Sequence, residues 1–347
     1  MDEKQAKTGG RGIVFWAGAS VAFFFFLSSL LLVLMIVNSF EAWRPLVSGR
    51  QTLDQEYIEK VVEGSGEKKI VIVSIQGLIT TASNSLFAGD AGTVEGFKKQ
   101  LKQIKNDDKV EAVLLLIESP GGGMTASDII YNEILEYKKE KKKKVVVLMG
   151  GVAASGGYYI AAAADKILAH PTTITGSIGV ILPLINISEL IQKYGVEDDS
   201  ITSGDMKDLG SPTRPMRPEE KAVLEGIIQQ LYERFVDVVA TGRDMPVDEV
   251  KKLADGRIYT AQQALESGLI DQLGYLSDAI EAAKELAGLD EALVVKYERK
   301  WGLSDLFSIM QGVTSPGVRR LFGWPETDTP RLMYLWLPGF TQDIRTR

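Results

Sequence analysis

The chain has 347 residues, of which 45% are hydrophobic and 24% charged, and its formal net charge is −7. This composition is typical of a globular protein with room for one large domain or two ordinary ones. The acidic balance argues against nucleic-acid binding, which requires a basic patch. The sequence has no cysteine, so thiol chemistry is excluded. It has one histidine, so any serine–histidine–aspartate site must use that residue, and lysine becomes the leading candidate for a catalytic base.

The first predicted element is an uncharged apolar run from Ile13 to Val37. At about 1.5 Å per residue, a helix of this length exceeds the roughly 30 Å hydrocarbon thickness of a bilayer. A cleaved signal peptide is the alternative, but its apolar region is usually only about 7–15 residues long and ends at a small-residue cleavage site. We therefore expect an uncleaved transmembrane anchor after a short cytoplasmic tail, residues 1–12, an orientation that the flanking positive charges favour only weakly.

An α/β domain is predicted after the anchor. Residues 38–69 are polar and mixed, which predicts a stalk or linker. From Ile70 a pattern recurs in which a β-branched or leucine-rich run is followed by a glycine-containing turn and a helical pattern. The two clearest later strands are Val113–Ile117 and Val145–Met149. Alternating strands and helices predict a parallel sheet within a domain at 70–290, followed by a C-terminal extension at 291–347.

A long amphipathic helix is predicted from Pro218 to Val239. Proline suits the first helical position, and the two glutamates that follow it suit the first turn. The apolar stripe consists of Val223, Ile227, Leu231, Phe235 and Val238. We expect this stripe to face the core.

The first of two glycine-rich turns is SPGGG, Ser119 to Gly123. Without side chains, a carbonyl oxygen can approach backbone N–H groups that a Cβ would shield, and two such groups can hold an oxyanion. Glycine turns also bind phosphates, but this turn lacks the lysine of a phosphate-binding loop and does not match G-x-G-x-x-G. A turn without any function is the other alternative for this motif taken alone.

The second turn, GGVAASGG, places Ser155 at or near the start of a predicted helix. There the helix dipole and the N–H of Gly156 would stabilise the negative charge that develops during acyl transfer. An ordinary N-cap serine has the same sequence pattern, and the sequence alone does not separate the two interpretations. A nucleophilic serine also needs a base.

Two residues are candidates for that base. His170 stands before Pro171, which favours a surface or loop role. Lys207 lies in the polar loop TSGDMKDLGSP, and a desolvated lysine loses its proton readily enough to act as a general base. Lys207 is the stronger candidate, although a single lysine in a loop usually faces solvent.

Five motifs follow the predicted anchor in this order: LIESPGGG, MGGVAASGGYYIAAAAD, TGSIGVI, SGDMKDLGSPTR and RPEE. In this order they resemble the short bacterial form of the signal peptide peptidase A family, whose members are S49-type serine proteases. The resemblance runs from about Ile70 to Leu273. It implies a fold like that of Clp protease and the crotonases, and peptide hydrolysis with no metal or other cofactor.

The resemblance also assigns roles to individual residues. It implies that Ser155 is the nucleophile, that Lys207 is the general base, and that the hydroxyl of Ser177 orients the lysine. The oxyanion amides that it implies are those of Gly121 and Gly156, with Gly122 as a less certain neighbour. The sequence departs from the family at Arg217, where a threonine or serine often precedes Pro-Glu-Glu, so we expect a weaker helix cap by about 1 kcal/mol.

Location and partners follow from the same resemblance. It implies a single-pass protein of the bacterial cytoplasmic membrane, with the catalytic domain on the extracytoplasmic side. Its expected substrates are cleaved signal peptides and other apolar peptides. Such proteins assemble into rings or domes, and in short forms the serine and lysine of one site can come from neighbouring subunits, so we expect a homo-oligomer.

Three questions stay open at this stage. The apolar stretch TPRLMYLWLPGF is too short to span a membrane, and it either packs on the protein or lies in the substrate groove as a substrate-like strand. Acyl-thioester chemistry on a crotonase-like fold is an alternative function that would need neither Ser155 nor Lys207. A non-enzymatic membrane scaffold is the other alternative, and the joint presence of Ser155, Ser177 and Lys207 argues against it.

Overall fold

The computed structural model describes residues 57–81 and 94–299, and the backbone of residues 333–335. All of them belong to the larger of two compact units, Glu56–Arg347. The predicted membrane anchor, residues 13–37, lies outside the described residues. Among those that are described, no helix combines the length and apolar character needed to cross a membrane.

A nine-stranded sheet forms the centre of the described unit. The strands of this sheet and of a separate two-stranded pair are β1 (Tyr57–Glu63), β2 (Lys69–Gln76), β3 (Val110–Ser119), β4 (Gly121–Gly123), β5 (Lys144–Ala154), β6 (Lys166–Ala169), β7 (Ile174–Gly176), β8 (Ile258–Thr260), β9 (Gln272–Leu273), β10 (Leu293–Arg299) and β11 (Met333–Leu335). The main order is β1-β10-β2-β3-β5-β6-β9, β7 pairs with β5 and β8, and β4 and β11 form a separate pair. From β10 to β9 the pairing is parallel throughout, as the alternation of strands and helices predicted.

Eight helices surround the sheet in the described part of the chain. They are α1 (Val94–Lys105), α2 (Met124–Lys141), α3 (Gly156–Ala161), α4 (Ser188–Lys193), α5 (Pro218–Arg243), α6 (Val247–Leu253), α7 (Ala261–Glu266) and α8 (Leu276–Ala287). The two predicted turns fall where expected, because α2 starts directly after β4, and Ser155 alone separates β5 from α3.

Both faces of the sheet are covered, which explains why the central strands are apolar on both sides. Successive side chains of a strand point to opposite faces, so Val71 packs in the cluster that contains Phe97 of α1 and Ile130 of α2. Its neighbour Ile70 packs on the other face, in the cluster that contains Ile280 of α8. The result is an α/β fold with helices packed on both faces of the sheet.

The sheet extends beyond the predicted domain of residues 70–290. Strand β1 falls in the range predicted as a stalk, and β10 falls in the predicted C-terminal extension. They pair antiparallel, with Tyr57 opposite Arg299, and β10 continues the sheet by pairing parallel with β2. This pairing joins segments that are more than 200 residues apart in the sequence. A local sequence pattern cannot predict a contact over that separation.

Helix α5 differs from the prediction in length and in burial. It runs to Arg243, beyond the predicted end at Val239. The second half of its apolar stripe is buried at Phe235 and Val238, but Val223 and Ile227 in the first half are 47% and 40% exposed. The amphipathic pattern therefore predicted the helix correctly, while the described residues leave the first half of its stripe exposed.

Candidate active site

Three serines lie at the carboxyl ends of adjacent parallel strands. Strand β5 pairs with β3 on one side, with Ala153 opposite Ser119, and with β7 on the other, with Ala154 opposite Gly176. Ser155 and Ser177 are the next residues along β5 and β7. The sheet topology thus brings Ser119, Ser155 and Ser177 to one edge, where α/β proteins commonly place their functional groups.

Ser155 occupies the N-cap position of α3 with an unusual backbone. Its φ is 53° and its ψ is −113°, and its N–H donates a hydrogen bond to the carbonyl oxygen of Gly176 at 2.7 Å. Its side chain makes no capping hydrogen bond. A non-glycine residue in such a region costs of the order of 1–3 kcal/mol, and such costs are concentrated at functional sites. The hydroxyl is therefore not used as an ordinary helix cap.

The start of α3 packs directly against the glycine strand β4. A Cβ on Gly156 would lie 2.4 Å from the hydroxyl oxygen of Ser127 and 3.3 Å from both the Gly121 Cα and the Gly122 nitrogen. A Cβ on Gly122 would lie 2.2 Å from the carbonyl oxygen of Ile79. Only glycine fits at these positions, and the close approach brings the first amide of the helix beside the amides of β4.

Ser119 fixes the shape of this glycine turn, a role that the sequence analysis did not identify. Its buried hydroxyl donates to the carbonyl oxygen of Gly77 at 2.6 Å and accepts the N–H of Gly121 at 3.0 Å. Gly121 has a φ of 104°, which favours glycine. The amide of Gly121 is therefore already engaged. The serine of SPGGG is the signal that could have suggested a turn-forming hydrogen bond.

A carboxylate fixes the end of the strand that leads to Ser155. The pairing of β3 with β5 shifts register after Ile117, and the Glu118 side chain lies at this irregularity. Its two oxygens accept the N–H groups of Gly151 at 2.5 Å and Val152 at 3.1 Å. On the carbonyl side, the Thr173 hydroxyl donates to the Gly150 oxygen at 2.5 Å. The backbone N–H groups of Gly151 and Val152 and the carbonyl oxygen of Gly150 therefore all have hydrogen-bond partners at this irregularity.

Ser177 lies on the strand next to that of Ser155 and also has a positive φ. Its φ is 52°, and it is 8% exposed. Its N–H donates to the carbonyl oxygen of Arg257 at 2.8 Å. The preceding Gly176 has a φ of 82°, and a Cβ there would lie 2.5 Å from the Tyr259 ring. The chain therefore reverses tightly at this point and leaves the Ser177 hydroxyl at the same edge as Ser155.

In the described part of the chain, the two candidate bases make contacts other than hydrogen bonds to the serines. The Lys207 side chain is exposed, and its backbone N–H donates to the Gly204 carbonyl oxygen at 3.0 Å. Among the described residues, no hydrogen bond joins Lys207 to Ser155. The Nδ1 atom of His170 lies 2.8 Å from the Thr172 hydroxyl, and the ring contacts Tyr275 edge-on. Within the described residues, neither side chain is hydrogen-bonded to Ser155 or Ser177.

A short C-terminal strand lies on the glycine strand. Met333–Leu335 pairs antiparallel with Gly121–Gly123, so that Tyr334 is opposite Gly122. An extended peptide that adds a strand through backbone hydrogen bonds is a recurring mode of peptide recognition. The edge of β4 therefore accepts an extended segment next to Ser155.

In the described residues, no group of three or more histidine, aspartate and glutamate side chains could hold a metal ion. The edge combines a serine at a strained turn between strand and helix with backbone amides of glycines beside it, which are groups that acyl transfer uses.

Comparisons with known proteins agree with this geometry. Residues 137–290 match the model of peptidase family S49, and residues 89–175 match that of Clp protease. The chain is 37% identical to the "Putative signal peptide peptidase SppA" of Enterococcus faecium over 300 aligned residues. The alignment covers 83% of this chain and 86% of that protein. It is 37% identical to the chloroplastic "Serine protease SPPA" of Arabidopsis thaliana, over 65% of this chain and 33% of that protein. The chain therefore belongs to peptidase family S49 and is a serine protease.

Proposed function

We propose that the protein is an endopeptidase in which Ser155 is the nucleophile and Lys207 the general base. The observation that carries the proposal is the strained Ser155, which stands at a helix N-cap without capping the helix. A strained turn between a strand and a helix presents a hydroxyl outward in other serine hydrolases. The positive end of α3 stabilises negative charge next to it.

We assign the oxyanion hole to the amides of Gly122 and Gly156. Of the three glycines that the family resemblance suggested, Gly121 already donates its N–H to Ser119. The amide of Gly156 is the first of α3 and has no acceptor within the helix. The Gly122 nitrogen lies only 3.3 Å from where a Cβ of Gly156 would be, so the two amides are close enough to bind one oxygen.

We infer that Lys207 reaches Ser155 of a neighbouring subunit in a homo-oligomer. Lys207 is exposed, and large apolar side chains are exposed along the chain before it. Examples are Ile181, Ile185, Leu190, Tyr194, Val196 and Ile201, which are 50% to 100% exposed. Exposed apolar surface of this kind is typical of protein interfaces. Docking against a second subunit would bury it and would bring Lys207 into an apolar environment, where a lysine loses its proton more readily.

The mechanism proceeds through an acyl-enzyme. Neutral Lys207 accepts the proton of the Ser155 hydroxyl as the oxygen attacks the scissile carbonyl carbon, while Ser177 orients the amine. The two glycine amides stabilise the oxyanion of the tetrahedral intermediate. The lysine then donates its proton to the leaving amine. A water molecule, deprotonated by the same lysine, hydrolyses the ester and regenerates the serine.

Substrates bind as extended strands. A peptide that pairs with Gly121–Gly123 in the way that Met333–Leu335 does would present its backbone carbonyl to Ser155 without a requirement for one sequence. A relative carries the name of a signal peptide peptidase. We propose that this chain likewise cleaves residual signal peptides and similar apolar peptides, from the extracytoplasmic side of a membrane in which residues 13–37 are the anchor.

Peptide hydrolysis by matched lysine variants tests the proposal. Lys207→Ala should abolish turnover, whereas Lys221→Ala, which changes an exposed lysine of α5, should leave kcat within about twofold of wild type. Both variants should retain the far-UV circular dichroism spectrum and the oligomer mass of wild type. Full activity in a folded Lys207→Ala variant would refute the role of the lysine.

A further inference from the structure

Four charged side chains form a cluster between the Lys207 loop and the start of α5. We name Asp208, Arg214, Arg217 and Glu220 the arginine–carboxylate cluster. Glu220, at the third residue of α5, has a side chain with no exposed surface. Burial of a carboxylate is costly unless it is paired and hydrogen-bonded. The cluster supplies these partners in full.

Glu220 accepts hydrogen bonds from two arginines. One terminal nitrogen of Arg214 lies 2.9 Å from its Oε2 and the other donates to its Oε1, which is the two-pronged geometry that suits a guanidinium. Arg217 donates its backbone N–H to Oε2 at 2.9 Å and a side-chain nitrogen to Oε1 at 2.6 Å. The helix thus has no side-chain cap at Arg217, as expected, but Glu220 accepts the backbone N–H of this N-cap residue.

Arg214 also binds the residue that follows Lys207. Its Nε donates to the Asp208 carboxylate at 2.6 Å, and a terminal nitrogen donates to the Asp208 backbone carbonyl at 3.3 Å. One guanidinium thus connects the first turn of a 26-residue helix to the backbone next to Lys207. The segment from 201 to 217 contains no helix or strand, so side-chain contacts of this kind set its shape.

We propose that Arg214 is a positioning residue for Lys207. By holding Asp208 against the buried Glu220, it gives the loop one conformation before another subunit docks, so that the lysine amine meets Ser155 at the correct place. This inference rests on the proposed Ser155–Lys207 mechanism. Misplacement of a catalytic group by about 1 Å can cost about 100-fold in rate, so the expected loss is in kcat.

Mixed oligomers isolate the effect on the lysine. Subunits with Ser155→Ala, mixed with subunits with Lys207→Ala, should regain activity because each supplies what the other lacks. When Arg214→Ala is added to the Ser155→Ala subunit, which supplies the lysine, the regained activity should fall about 10- to 100-fold. When it is added to the Lys207→Ala subunit, which supplies the serine, the activity should change less than twofold. Both mixtures contain the same Arg214 substitution, so a general structural defect would lower them equally and overturn the proposal.

Kinetics of an oligomer in which every subunit carries the same Arg214 substitution give a second test. This test does not require the serine and the lysine of one site to come from different subunits. Arg214→Ala should lower kcat about 10- to 100-fold with KM nearly unchanged, and added guanidinium ion should restore part of kcat. Arg214→Lys should restore little, because an ammonium lacks the planar fork. The matched control is Arg234→Ala, an arginine of α5 that pairs with Asp128 at 3.0 Å.

The outcomes separate this inference from the proposed function. If Lys207→Ala is inactive but Arg214→Ala turns over substrate like wild type, the positioning role is wrong and the mechanism stands. If Lys207→Ala is fully active, the proposed mechanism fails, and the positioning role fails with it. A rise in KM without a change in kcat for Arg214→Ala would also overturn the inference.

Discussion

Ser155 and Ser177 follow two residues that face each other in the sheet, Ala154 and Gly176, and the two serines have nearly equal φ angles of 53° and 52°. The hydrogen bond from the Ser155 N–H to the Gly176 carbonyl, at 2.7 Å, joins the two turns. The two hydroxyls are therefore carried by one rigid backbone unit. In the proposed mechanism, Lys207 contacts both hydroxyls at this edge.

The first prediction concerns Ser177. Ser177→Ala should reduce kcat about 10- to 100-fold, because a hydrogen bond to a charged group contributes about 1.5–3 kcal/mol. Steady-state hydrolysis of a peptide substrate measures the effect. Ser177→Thr should regain part of the rate, since it restores a hydroxyl. A Ser177→Ala variant with the wild-type kcat would contradict the orienting role.

A second prediction concerns the hydroxyl of Ser119. Ser119→Ala should leave the buried N–H of Gly121 without its partner, which destabilises the protein by about 1–3 kcal/mol and loosens the glycine turn. We expect a lower midpoint of denaturant unfolding together with a lower kcat. Ser267→Ala is a suitable control, because its hydroxyl donates to the Gln263 carbonyl of α7 at 2.8 Å, in a turn outside the proposed site. Equal kcat values for the two variants would show that the turn does not depend on Ser119.

Removal of the C-terminal strand gives a third prediction. Truncation after Thr329 deletes Met333–Leu335 and should raise the initial rate on short peptides, because the edge of Gly121–Gly123 becomes free for substrate. Truncation after Phe340 keeps this strand and serves as the matched control. The same rate for both truncated proteins would exclude competition between the strand and the substrate.

The pH dependence of stability provides a fourth prediction. The Arg214 guanidinium holds the pKa of the Glu220 carboxyl well below its ordinary value of 4.5, and it also lowers the pKa of Asp208 below 3.8. A lowered carboxyl pKa stabilises the folded state fully above the ordinary value, and this stabilisation is lost as the pH falls towards the folded-state pKa. Between pH 6 and pH 3, the wild-type melting temperature should therefore fall more steeply than that of Glu220→Gln. Parallel curves would contradict the contribution of Glu220.

The sequence predicted the parts of the fold that depend on local patterns. The apolar runs predicted β2, β3 and β5, and the glycine turns predicted where the candidate site lies, since the carboxyl ends of parallel strands meet at one edge. Contacts between distant segments were not predictable in this way. The pairing of Tyr57 with Arg299 and the bridge from Arg214 to Asp208 and Glu220 depend on the complete tertiary structure, because neither has a periodicity that signals it.

The distinction between a capping serine and a nucleophile also needed coordinates. In sequence, Ser155 before a helix fits both roles, because the pattern is the same. The backbone angles and the missing capping hydrogen bond argue against the capping role, and our proposal of a nucleophile rests on them. For Lys207, a loop lysine was already a chemically reasonable base from the sequence, and the exposed side chain is compatible with the proposed site shared between subunits.

Covalent labelling of Ser155 tests the central claim most directly. The detergent-solubilised full-length protein would be treated with a fluorophosphonate, and intact-mass spectrometry would detect the adduct in wild type, Ser155→Ala and Lys207→Ala. We predict a single adduct on wild type and none on either variant, because the serine needs the lysine to become nucleophilic. Labelling of the Lys207→Ala variant at the wild-type rate, or an unlabelled wild-type oligomer, would contradict the account.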